Sequence, residues 1–244
     1  MKASSDFSRT KVIACATVIE EMLPLLPAKM MYEILDFGLH LNPANLRDTL
    51  QSTIDAASAN ADTILLGYGL CSMAVVGLTA TNCTLVVPRV DDCIAIFLGS
   101  RDAYKQQHSQ EPGTYYLTKG WIEVSDTPFE EYKRLVERYG EARARRMIKL
   151  LLKNYTRLAY IDTGQQDQDR YRQYARDTAE EFELRFEEID GSDSMVQKLL
   201  FGPWDDDFVV TQPGQTMSYT DFKTTATTMC NLPGMSPTRP PEAG

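Results

Sequence analysis

The segment "ILLGYGLCSMAVVGL", residues 64–78, decides how the rest of the chain is read. It opens as a continuous apolar run, the pattern of a strand buried on both faces of a parallel sheet. The run breaks at Gly67 and Gly69 and reaches Cys71 where the backbone has to turn. The same edge recurs in "KVIAC", ending at Cys15, and in "TLVVPRVDDC", ending at Cys93. In open α/β sheets ligands bind beyond the carboxyl ends of the strands. If these strands are parallel, the cysteines face one crevice, and the repeated edge reads as a site.

Outward from this segment, apolar runs and amphipathic stretches alternate. Residues 11–16 predict a first strand and "TVIEEMLPLLP" a helix ended near its prolines; "MYEILDFGLHL" predicts a second strand with His40 at its end. In "NPANLRDTLQSTIDAASAN", Asn42 is placed to cap a helix and Pro43 to occupy its first position, with Leu46, Leu50, Ile54 and Ala57 on one face. "ADTILLGYG" and "CTLVVPRV" predict two more strands, "IAIFLGS" a short helix, and His108 falls in a polar loop. "GTYYLTKGWIEV" has strand propensity broken at Gly120 and reads as a strand pair or an edge loop. A helix then runs from Pro128 to about Asn154, interrupted by Gly140. It is followed by strand, helix, strand, helix and a last strand in "DFVVTQPG". This order predicts an α/β fold: one three-layer domain over residues 1–222, its mostly parallel sheet covered by helices on both faces. Residues 223–244, rich in Thr and Pro and holding Cys230, read as a disordered tail.

Composition narrows the function. The 34 acidic and 25 basic side chains give a formal charge of -9, which repels phosphate backbones and argues against nucleic-acid binding. The amino-terminal stretch has neither the apolar core of a signal peptide nor the length of a membrane span, so the expectation is a cytoplasmic protein without a membrane partner. In that compartment thiols stay reduced, and the five cysteines are free, metal-bound or catalytic in preference to disulfide-bonded.

Thiolate suits zinc and iron-sulfur clusters, and three ligands leave one position open for water or a small-molecule substrate. Cys15, Cys71 and Cys93 are therefore candidate metal ligands; the alternatives are small buried hydrophobes at strand ends or a nucleophilic thiol. Cys83, at the start of its strand, belongs to the core. If "SMAVVGL" begins a helix, its amino end lowers the pKa of Cys71. Gly67 and Gly69 permit a tight turn or a close approach to a cofactor. They lack the third glycine of G-x-G-x-x-G, and no P-loop is present. Glu20, Asp91 and Asp92 are candidate general bases or metal-shell carboxylates, Glu21 lies beside the first, and each doubles as a solvated charge or helix cap. Arg89 is placed to bind an anion and Trp121 to line a pocket or fill the core.

The blocks "LLGYGLCSMAVVGL" and "LVVPRVDDCIAIFLGS", with the "GWIE" that follows, resemble the DUF1638 family, a domain of unknown function. The similarity runs from about Lys11 to Gln212. It implies a shared fold and, by association, a link to corrinoid proteins and methyltransferases of one-carbon metabolism. In the family's pattern a histidine stands two residues before the last cysteine, where this chain has Asp91, so the imidazole of a Cys/Cys/His/Cys metal set is missing. A D-x-H-x-x-G cobalamin motif is also absent, so the chain is not expected to carry a corrinoid itself. Two readings follow: a cysteine-ligated metal-dependent enzyme or methyl-transfer component, and a non-catalytic small-molecule-binding or partner protein of a methyltransferase system with structural cysteines.

Overall fold

The continuous apolar runs become strands with no wet face. In β1 (Thr10–Cys15), β3 (Thr63–Gly67) and β4 (Thr84–Pro88) the last four residues are all buried. The computed structural model describes residues 7–125 and 127–223. The tail read over 223–244, with Cys230, lies outside these residues except for Lys223. With β2 (Met31–Leu35) and β8 (Phe208–Thr211), these strands form a five-stranded sheet in the order β2-β1-β3-β4-β8. Every pairing is parallel except that of β8, which runs antiparallel to β4.

The strands divide between two sheets where the sequence suggested one. β5 (Thr114–Leu117), β6 (Arg157–Asp162) and β7 (Arg185–Asp190) form a separate parallel sheet. The fold class is α/β and mostly parallel, as expected. "GTYYLTKGWIEV" resolves into β5 followed by α5 (Lys119–Val124), with Thr118 capping the helix through its hydroxyl. The apolar run at residues 31–41 yields a strand only to Leu35. Asp36 then accepts the Gly38 amide and turns residues 37–41 into a 3-10 helix, so His40 is off the strand. His108 sits in the last turn of α4 (Arg101–Gln110), not in a loop.

Helices α1 (Ala16–Met22), α2 (Pro43–Ala57), α3 (Cys93–Phe97) and α9 (Ser194–Phe201) belong to the core of the first sheet. Leu46, Leu50, Ile54 and Ala57 form the buried stripe of α2, and Asn42 caps it by accepting the Ala44 and Asn45 amides. The second core packs Leu158 and Tyr160 against α6 (Pro128–Tyr139), α7 (Glu141–Leu151) and α8 (Gln168–Glu181). Gly140, at φ +76°, separates α6 from α7 where one interrupted helix was expected. Trp121 packs on both cores. No described helix is long and apolar enough to cross a membrane.

Helices α1 and α3 meet the loops that leave the carboxyl edge of the second sheet. Both helices leave the carboxyl edge of the first sheet. Loops leaving the second sheet then close on them: the Gln165 amide donates to the Glu20 carbonyl at 3.2 Å, and the Ser192 amide to the Phe97 carbonyl at 2.9 Å. At Gly120 a Cβ would stand 2.8 Å from the Thr17 carbonyl oxygen, so α5 lies against α1 as closely as backbone allows.

Candidate functional site: a cysteine cluster at the carboxyl edge

Three strand ends are drawn together by contacts that only glycine permits. A Cβ at Gly67 would lie 2.6 Å from Ala14 Cβ, and one at Gly69 would lie 2.8 Å from the Val90 carbonyl oxygen and 2.9 Å from the Asp92 amide. The segment after β3 is tied to the segment after β4 by Leu70 N–H to Val90 O at 2.9 Å and Cys71 N–H to Asp91 O at 3.0 Å. Both glycines thus serve the approach of chain to chain. Neither takes a positive φ.

The positive φ falls on the residues after them. Cys71, Ser72 and Met73 stand at φ 44°, 56° and 73°, three successive non-glycine residues in the left-handed region. No helix starts at this point; the run is a left-handed turn closed by Ala74 N–H to Cys71 O at 3.2 Å. Each such residue costs about 1–2 kcal/mol. The turn is held from outside, where Gly77 donates to the Met217 carbonyl and Met217 donates back to Leu78. Strain maintained in this way is characteristic of functional positions.

The three cysteines reach this edge by different routes. Cys15 ends β1 and precedes α1, buried, with Sγ 3.3 Å from Thr17 Oγ1. Cys93 opens α3, whose cap is Asp92 accepting the Ile94 amide at 2.9 Å. Cys71 sits in the strained turn. Cys71 and Cys93 are half-buried, and desolvation is the leading influence on both thiols. Their charges are mutually coupled: a thiolate at Cys15 disfavours one at Cys71, and both disfavour one at Cys93. Tyr68, only 1% exposed, feels all three, and its hydroxyl has no hydrogen-bond partner among the described residues.

The electrostatics correct one expectation. Burial, not a helix amino end, dominates, and it pushes the Cys71 thiol up to about 12 and Cys15 and Cys93 up as well. Asp92 adds to the rise at Cys93 and Cys71. At neutral pH the cluster holds thiols, not thiolates. Among the described residues, no group of three or more His, Cys, Asp or Glu side chains is arranged to hold a metal ion as it stands.

The other candidates separate. Asp92 is a structural cap that also accepts from the Tyr104 hydroxyl at 3.3 Å, and Asp91 is exposed, touching Cys71 through its carbonyl. Arg89 turns toward β8, donating to the Phe208 carbonyl at 3.1 Å. Trp121 meets Phe37 and Phe97 edge-on, with centroids at 5.5 and 6.4 Å. Glu20 stands at the far end of α1, away from Cys15, with Glu21 beside it. His40 stacks between Phe37 and Tyr68 at 5.2 and 6.0 Å, and burial lowers its pKa, so the imidazole is neutral. Sequence reasoning missed Tyr68; an aromatic between two glycines at a strand end was its only signal.

The family description "Protein of unknown function (DUF1638)" matches residues 34–200. The chain belongs to the DUF1638 family. The matched DUF1638 span contains Tyr68, Cys71, Cys93 and Trp121 and begins after Cys15, so it is narrower than Lys11–Gln212. No curated protein and no solved structure matches this DUF1638 chain.

Proposed function

We propose that Cys15, Cys71 and Cys93 serve as thiolate ligands of one soft metal ion, zinc, or of an iron-sulfur cluster, in an enzyme or component of corrinoid-linked methyl transfer. One observation carries the reading: three thiols, one buried and two half-buried, stand at one carboxyl edge and bear on one another's ionisation and on that of Tyr68, whose hydroxyl has no hydrogen-bond partner among the described residues. The donor chemistry fits a soft cation, which displaces thiol protons outright and removes the mutual repulsion. The side chains as placed are not a closed set, so binding requires the thiols to lose their protons and turn to a common point. A bound zinc would supply an open position at which a substrate thiol ionises. The chain's own part is to hold the thiols at three strand ends, to keep water out through Tyr68 and the stacked His40, and to present Cys71 on a strained turn. The link to a corrinoid protein or methyltransferase rests on the family resemblance.

A second reading is a non-catalytic partner or small-molecule-binding protein with packed cysteines, favoured by the protonated thiols and the Cys15 contact to Thr17. Anaerobic purification of the full chain with metal analysis, followed by titration with zinc alone, separates the two. The first expects about one equivalent of metal or cluster per chain, lost in each Cys→Ser variant that keeps its circular dichroism. A folded chain that stays metal-free in excess zinc and iron refutes it and leaves the second.

A further inference from the structure

A cleft of about 490 Å³ lies where the loops after β6 and β7 and the start of α5 meet the far end of α1 and the side of α3. That volume is in the range of small-molecule sites, roughly 300–1,000 Å³. It sits at the carboxyl edge of the second sheet, where α/β proteins bind ligands, and it is distinct from the cysteine cluster at the other end of α1.

Its floor holds an unsatisfied acid. Glu21 is only 7% exposed. Its Oε2 accepts from Gln165 Nε2 at 2.9 Å, while Oε1 has no hydrogen-bond partner among the described residues. Burial pushes the Glu21 carboxyl up, and Thr163, Gln165 and Lys119 draw it part of the way back down; Thr163 Oγ1 itself reaches no hydrogen-bond geometry among the described residues. Lys119 favours the carboxylate from a distance but makes no ion pair with it among the described residues. A buried carboxylate oxygen left in this state is costly unless a donor or a cation meets it.

The walls say which donor. Glu20, Glu21 and Asp193 line the cleft against a single lysine, so the local charge favours a cation over an anion. Leu23, Leu25, Phe97 and Val196 also line it, offer no side-chain donor or acceptor and suit a hydrocarbon body. We propose that this cleft binds a small organic ammonium compound with an apolar body, an aliphatic amine or amino acid, its N–H groups donating to the Glu21 carboxyl. The inference stands apart from the thiol reading and survives its failure.

Isothermal titration of the full chain with isoamylamine, and with isovalerate as the same carbon skeleton carrying a carboxylate, tests it. The amine is expected to bind and the acid not. Glu21→Gln keeps the shape and an acceptor for Gln165, and is expected to weaken the amine about tenfold or more, the range of a charged hydrogen bond. If that variant does not fold, the wild-type protein still decides: the amine is expected to move the carboxyl carbon NMR signal of Glu21. Absence of binding at millimolar amine, equal binding of isovalerate, affinity unchanged in Glu21→Gln, or a Glu21 signal that stays still overturns the proposal.

Discussion

Raising the pH should unfold this protein through its thiols, and Cys71 sets the scale. An unfolded cysteine ionises near 8.5, whereas burial holds Cys71 at about 12 in the folded chain. Between those values the native state keeps a proton that the unfolded state releases. The stabilisation is therefore intact below about 8.5 and lost as pH rises toward about 12. A difference of one bound proton is about 1.4 kcal/mol per pH unit, so Cys71 alone costs about 3 kcal/mol over the first two units. Cys15 and Cys93 shift in the same direction for the same leading reason, desolvation. Both add to the slope set by Cys71, against a total stability of about 5–15 kcal/mol for a typical domain. The assay is urea denaturation of the reduced, metal-free chain at closely spaced pH values from 8 to 10.5, compared with Cys71→Ala. The wild-type slope should exceed the variant's by about 1.4 kcal/mol per unit, a comparison of slopes that any change in baseline stability leaves untouched. Cys83 is an internal control, since burial also raises its pKa but it lies at the opposite end of its strand. Its removal should flatten the slope without altering metal binding. Equal slopes in wild type and Cys71→Ala would show that the Cys71 sulfur is hydrated, and the argument for a desolvated cluster would fall.

Two further substitutions probe the fold that holds the cluster. Ser72, exposed at φ 56°, loses its Cβ clash on replacement by glycine, and the gain of about 1–2 kcal/mol less about 0.5–1 kcal/mol of added chain entropy predicts a net stabilisation of up to about 1.5 kcal/mol in urea melts. A loss of stability would mean that the left-handed turn is not populated as described. Arg157→Ala should cost about 3 kcal/mol or more, because this fully buried guanidinium donates to Thr114 at 2.7 Å, Gln107 at 2.9 Å and Glu187 at 3.0 Å and so joins α4, β5 and β7 to β6. A change under about 1 kcal/mol in denaturant midpoint would contradict that role.

What the chain determined by itself was whatever a single element decides within its own length. The apolar runs at 11–15, 64–67 and 84–88 could only be strands buried on both faces, and the stripe of Leu46, Leu50, Ile54 and Ala57 with Asn42 and Pro43 ahead of it could only be a capped helix. The alternation of such elements carried the α/β class, because parallel strands need helical crossovers. Tertiary structure decided what depends on distant partners. Division into two sheets, and the antiparallel placement of β8 on β4, follow from which edges pair, and edge pairing leaves no trace in local periodicity. The turn at Cys71 to Met73 is left-handed because bonds from residues 215–217 and from the β4 loop hold it so; the preceding glycines, which looked like the flexible points, are needed for lack of space. Glu21 looked like a solvated charge and is buried because a loop more than a hundred residues away folds over it. Cys71 looks activated beside a helix start and is instead held protonated, since its pKa is set chiefly by how much water is removed, and only the assembled walls remove it.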